Sequence, residues 1–168
     1  MKLQTRELLL QGLIAGLIAY ASVVLFHLIV NVLAGRSPFY TPAALGSVLF
    51  YGARSPTTIL VEPGPVLAYN GLHLALSWLA GTAAAFLVFE TERHHAMWYL
   101  FGFALIAGFI YTVVAVGAVG AEIAHVIPWW VVVTSSLVWV LSLAGYLGWI
   151  HRGLWRELSR EQATGAEE

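Results

Sequence analysis

The sequence predicts an all-α membrane protein: four transmembrane helices, with a short interfacial or re-entrant helix between spans 1 and 2. Three observations carry this. The 168 residues are 60% hydrophobic and 10% charged, too few charges to cover a soluble domain of this size with a mixed-sign surface. The eight Lys and Arg and the nine acidic residues, all Glu, are clustered. They leave four long uncharged stretches, each sufficient for the roughly 20 residues that cross about 30 Å of hydrocarbon. Those stretches are continuously apolar rather than alternating, which argues against barrel strands. Backbone groups in lipid must then be satisfied within each segment, so the segments are helices.

Span 1 is expected at residues 8–34. Its start, "MKLQTRELLLQGLIAGLIAYA", is basic, then apolar, and ends in an Ala19-Tyr20-Ala21 that a signal peptidase could cut. The apolar run continues unbroken to Ala34, well past any signal-peptide core, so a retained helix is expected. Gly35 supplies the stop. In "GRSPFYTPAALGSVLFYGAR", Thr41 followed by Pro42 reads as an N-cap and first helical residue, and Gly52 as the stop. The resulting cap helix, 42–52, is about 15–17 Å long, half a bilayer at most. Leu45, Val48, Leu49 and Gly52 share one face, whereas Phe50, with Phe39 and Tyr40, makes a second. Arg36 and Arg54 bracket the element at the level of lipid phosphates. Arg36, Phe39, Tyr40, Leu49, Phe50 and Arg54 are therefore the expected partner- or lipid-docking residues.

Ile59–Val61 reads as extended, and Pro63-Gly64-Pro65 as a rigid turn placing Pro65 first in span 2, at 65–89. Spans 3 and 4 follow at 97–120 and 129–151. Residues 1–155 then form one transmembrane domain. Residues 156–168 continue a basic amphipathic segment, "HRGLWRELSR", into a disordered tail, "EQATGAEE". Small residues recur at helix-contact spacing: Gly12 and Gly16, Ala15 and Ala19, Gly81 and Ala85, Gly117 and Ala121, Ala144 and Gly148. Such pairs let backbones approach closely inside a bundle. Trp129, Trp130, Trp149, Trp155, Trp98 and Tyr99 mark the interfaces. Trp78 and Trp139, near mid-depth, are expected to face protein, where each indole N–H finds a partner.

The segment GR-x-PF-x-TP-x-x-LG-x-x-LF, Gly35 to Phe50, together with Tyr69 and His73, resembles a group of uncharacterised bacterial four-helix integral membrane proteins. The match runs from the end of span 1 into span 2. The resemblance implies the architecture and no activity, so it assigns no catalytic residue.

Polar residues inside lipid are the candidates for chemistry. His27 and Asn31 lie one turn apart on span 1, and Asn70 and His73 share a face of span 2. Both histidines are expected about two turns inside the outer surface, where they could ligate haem b axially or hold a quinone carbonyl. The preferred reading is plainer: interhelical hydrogen bonds from His to Asn, worth about 1 kcal/mol, with no cofactor. Glu122 and His125 form Glu-x-x-His at the outer end of span 3. One such copy without partner carboxylates does not make a di-iron site. With His27 and His73 it would offer zinc or copper three imidazoles and a carboxylate, although solvated interfacial side chains are the preferred reading. His94-His95 lies in a cytoplasmic turn and reads as solvated. No catalytic motif occurs. With a net charge of −1 there is no basic stripe for nucleic acid, and without cysteine there is no thiolate chemistry.

The expectation is a non-enzymatic accessory or structural subunit of a larger bacterial respiratory or photosynthetic membrane complex; the alternative is a haem b- or quinone-binding redox subunit using His27 and His73. Six basic residues (Lys2, Arg6, Arg93, Arg152, Arg156, Arg160) fall on one side and two (Arg36, Arg54) on the other. By the positive-inside rule both termini are cytoplasmic, in the bacterial inner membrane. Cysteine placed at Ser55 should react with an impermeant maleimide in intact cells, and cysteine at Ser159 should not. The opposite labelling would invert the topology.

Overall fold

The computed structural model describes residues 2–53, 55, 59–94, 97–120 and 127–153. Among them every regular element is helical: α1 (Lys2–Leu33), α2 (Tyr40–Tyr51), α3 (Pro63–Arg93), α4 (Met97–Gly120) and α5 (Trp129–Ile150). All but α2 are long and apolar enough to cross a membrane, so this is a multi-pass membrane protein. The distribution of side chains agrees. Leu9, Leu13, Leu17, Leu25, Leu79, Phe103, Ile106 and Leu141 all lie exposed on the outside of the bundle, where lipid rather than water would meet them.

The helix ends depart from the sequence reading in ways with simple causes. Helix α1 starts at Lys2, because its charged first turns can extend into water. At its far end Gly35 takes φ 68°. The Arg36 N–H reaches the Asn31 carbonyl at 2.9 Å and the Gly35 N–H that of Val32 at 3.0 Å, the paired closure of a left-handed glycine stop. Helix α3 begins at Pro63, with Glu62 as N-cap and the prolines inside the first turn. A proline N–H is not needed there, so Pro63-Gly64-Pro65 opens the helix instead of preceding it. Helix α2 begins at Tyr40 with Phe39 as N-cap. Thr41 is not the cap: its hydroxyl donates to Asn31 Oδ1 at 2.9 Å.

Helix α1 packs chiefly on α3 and α5, and α4 joins α3 to α5, so the four long helices form a ring. The α1–α3 contact is made by backbone. A Cβ on Gly12 would come within 2.5 Å of Thr82 Cα; one on Gly16 would overlap the Ser77 carbonyl, and one on Gly81 the Gly12 carbonyl. Ala15, Ala19 and Ala85 are fully buried beside them. These small residues thus join the chain's own helices. The pairs 117/121 and 144/148 differ: Gly117 lies under the Trp129 ring, Ala144 and Gly148 are only partly buried, and Ala121 is outside the described residues.

Buried apolar residues form two separate clusters. One, around Ala15, Ala85, Val88, Phe101, Leu143 and Leu147, fills the end where α1 begins and α5 finishes. The other, around Ala44, Leu45, Ile59, Ile127, Val131 and Val132, lies beneath α2.

Helix α2 does not lie flat with one face buried. Thr41 through Ser47 are buried on every side, packed mainly on α3 and also touching α4; Gly46 sits directly against the Pro65 carbonyl. Only the last turn projects, with Leu49, Phe50 and Tyr51 exposed, as Phe39 is at the other end. Tyr40 packs inward against the nearby cluster, and the Arg36 guanidinium lies 4.9 Å from its ring centre. Arg54, Glu122, His125 and the 156–168 tail lie outside the described residues.

Because the atoms that Gly81 meets are backbone, they cannot move aside. Gly81→Val should destabilise the bundle by at least the 1–3 kcal/mol typical of overpacking. Gly145→Ala, where a Cβ meets nothing within 4 Å, should change stability by a few tenths of a kcal/mol or improve it. Reversible unfolding in mixed detergent micelles measures both.

Candidate functional site

Between the two clusters the bundle encloses a cavity of about 540 Å³, within the range that holds small organic ligands. All five helices line it. Val23 and His27 come from α1, and Thr41, Leu45 and Leu49 from α2. Stripes 72–76–79–83 of α3, 108–112–115 of α4 and 132–136–139 of α5 complete the wall. Each stripe follows the three-to-four-residue spacing of one helix face. The space exists because those faces carry Ala80, Ala83, Gly108 and Ala115, which are too small to meet across the bundle.

Leu72, Leu76 and Leu79 of α3 and Tyr111 of α4 line this cavity and are also exposed on the bundle's outside, Tyr111 by 75%. The cavity therefore opens sideways between α3 and α4, in the belt of apolar surface that faces lipid.

No charged residue is among the lining residues. Its polar groups divide into two sets. In the first, the hydroxyls are engaged. Ser77 Oγ accepts from Trp139 Nε1 at 3.0 Å; Thr41 donates to Asn31. Thr112, Ser135 and Ser136 donate to carbonyls of their own helices at 2.8–3.0 Å. In the second set, His27, His73, Tyr69 and the outward-exposed Tyr111 make no hydrogen bond to any described residue. His27 is only 8% exposed. An unpartnered polar group at such a site is expensive to keep. His73 is held in orientation by rings on two sides, Tyr20 edge-on at 5.3 Å and Tyr69 tilted at 5.8 Å between centroids.

The structure separates the four sequence-predicted residues into two roles. His27 and His73 both reach the cavity. Asn31 and Asn70 do not line it: they hold the scaffold. Asn31 Nδ2 donates to the Pro38 carbonyl at 3.0 Å while its oxygen accepts from Thr41, which ties the end of α1 to the start of α2. Asn70 accepts from the Tyr20 hydroxyl at 3.0 Å and donates to the Val66 carbonyl at 2.8 Å. The expected His-to-Asn pairing between helices is thus replaced by a Tyr-to-Asn pairing.

The histidines are also not at equal depth. Gly16 faces Ser77 and Gly12 faces Thr82, and in that antiparallel register His73 lies opposite residues 20–21 of α1. His27 is six to seven residues further along, roughly 10 Å at 1.5 Å per residue. Cα–Cβ bonds tilt toward the N-terminus of each helix, so on antiparallel helices the deeper His73 and the shallower His27 lean toward one another.

The two mid-depth tryptophans part company. Trp139 bonds Ser77, as expected, but Trp78 is 40% exposed on the bundle's outside, because its neighbour Ser77 takes the inward position. Among the described residues no three His, Asp or Glu side chains come together as a metal site. Glu122, His125 and His95 lie outside those residues, and His94 is exposed at the end of α3. Sequence reading missed Tyr69, Ser77, Ser135 and Ser136 as lining residues. The signal that could have revealed the cavity is the run of small residues on facing stripes of α3 and α4.

No protein-family description, curated protein or solved structure matches this chain.

Proposed function

We propose that this protein binds an uncharged, lipid-soluble small molecule inside the membrane, in the cavity between α3, α4 and α5, without itself being an enzyme. The observation that carries this reading is the pair of unpartnered imidazoles, His27 and His73, on the wall of an apolar cavity that opens toward lipid. An apolar void alone would be packing left unfinished. One that keeps two imidazoles without protein partners is suited to a ligand that completes them. The absence of lining charge favours a neutral ligand. Haem b, the other candidate from sequence, carries two propionates, and no Arg or Lys lines the cavity to receive them.

The six-to-two distribution of basic residues supports cytoplasmic termini in a bacterial inner membrane. In that orientation α2 closes the cavity on the outer side. Organic extraction of the purified protein should yield a neutral molecule enriched over a control membrane protein from the same cells. Ala83→Trp, which fills the exposed side opening, should reduce that yield severalfold while the protein stays folded. No enrichment in the wild type overturns the reading.

A second reading, an accessory subunit of a larger membrane complex, has one observation in its favour. Phe39 at the start of α2 and Phe50 and Tyr51 in its last turn are all exposed, and neither phenylalanine lines the cavity. Phe39→Ser with Phe50→Ser should release the protein from a higher-mass band on a mild-detergent native gel. A wild type that migrates alone excludes this role.

A further inference from the structure

The lining restricts the ligand further than "neutral and lipid-soluble". His27, His73 and Tyr69 present hydrogen atoms rather than only lone pairs, since a neutral imidazole carries one N–H and a tyrosine one O–H. A bound molecule that brings acceptors can therefore pair with all three. The two histidines stand on facing helices at different heights and lean toward one another, so those acceptors belong at opposite ends of one body. Tyr69 and Trp139 line the same space and offer aromatic surface to a flat ring. The side opening, bordered by Leu72, Leu76 and Leu79, suits a hydrocarbon tail.

We propose, resting on the reading of this cavity as a ligand site, that the ligand is of the quinone type: an uncharged flat ring with a carbonyl at each end, bridging His27 and His73, its tail leaving between α3 and α4. A hydrocarbon or a sterol would leave at least one imidazole unsatisfied. An anionic headgroup would have no cation to meet.

The test uses the full chain in lipid nanodiscs, titrated calorimetrically with a ubiquinone carrying one isoprenoid unit and, separately, with anthracene, which is flat but has no acceptor. The quinone should bind the wild type, and His27→Phe and His73→Phe should each weaken it by about tenfold, the loss of one buried hydrogen bond. His27→Gln and His73→Gln, which keep an N–H, should recover part of that affinity. Anthracene should bind the wild type and all four variants within about twofold, which also reports that each is folded. Quinone affinity unchanged in both Phe variants overturns the proposal. So does haemin binding with a Soret band that depends on both histidines, since the imidazoles would then be ligands to iron. Anthracene binding without quinone binding removes the quinone assignment and leaves the cavity reading standing. Binding of neither removes both.

Discussion

Where Gly12 and Gly16 of α1 meet Ser77, Gly81 and Thr82 of α3, two helix backbones touch with no side chain between them. In lipid, apolar burial does little to hold helices together, because hydrocarbon surrounds them in either state. Close packing and interhelical hydrogen bonds have to do it. This contact fixes the register of α1 against α3, and the register sets every polar pairing along the interface. Tyr20 reaches Asn70 because of it, and His73 is caught between Tyr20 and Tyr69 because of it. The tight seam on one side of the ring also has a geometric consequence on the other. Helix α4 has no comparable seam with α3, and the cavity with its side opening lies along that looser boundary.

The interior thus has a tight half and an open half, and its polar groups are sorted accordingly. Hydroxyls and amides that maintain the scaffold are paired within the protein: Trp139 with Ser77, Thr41 with Asn31, Gln11 with His151 at 2.9 Å. His27, His73 and Tyr69, which have no hydrogen-bond partner among the described residues, all stand on the cavity wall. Two imidazoles and a phenol facing one uncharged space are what support the proposed ligand site.

Much of the fold was legible because hydrocarbon imposes a simple rule on composition. Uncharged runs of sufficient length marked all four spans, and Gly35 and Gly52 marked two helix ends that the structure places where expected. What the sequence did not reveal was register and partner. The distance of His27 and His73 from the ends of their spans suggested equal depth. That inference assumed flush helix ends, whereas α3 starts two residues before Pro65 and the glycine seam slides it along α1. Thr41-Pro42 had the chemistry of a cap, yet Asn31, ten residues earlier, competes for the same hydroxyl and wins it. Asn31 and Asn70 had the look of ligand contacts because any amide in lipid does. Only three-dimensional neighbours decide whether such a group is already satisfied.

The burial of Thr41–Ser47 on every side has a consequence for how the protein is made. Helix α2 leaves the ribosome before α3 and α4, the helices that enclose it. Until they arrive, its first two turns have no walls, and a segment spanning half a bilayer can only rest at the membrane surface. It takes its seat after α3 has closed on α1 and α4 has returned beside it, with Pro65 waiting for Gly46. The roof of the cavity is therefore set after α3 and α4, and α5, which is made later still, completes the wall with Val132, Ser135, Ser136 and Trp139. During synthesis the chamber stands open until these walls arrive, and afterwards the side passage between α3 and α4 remains.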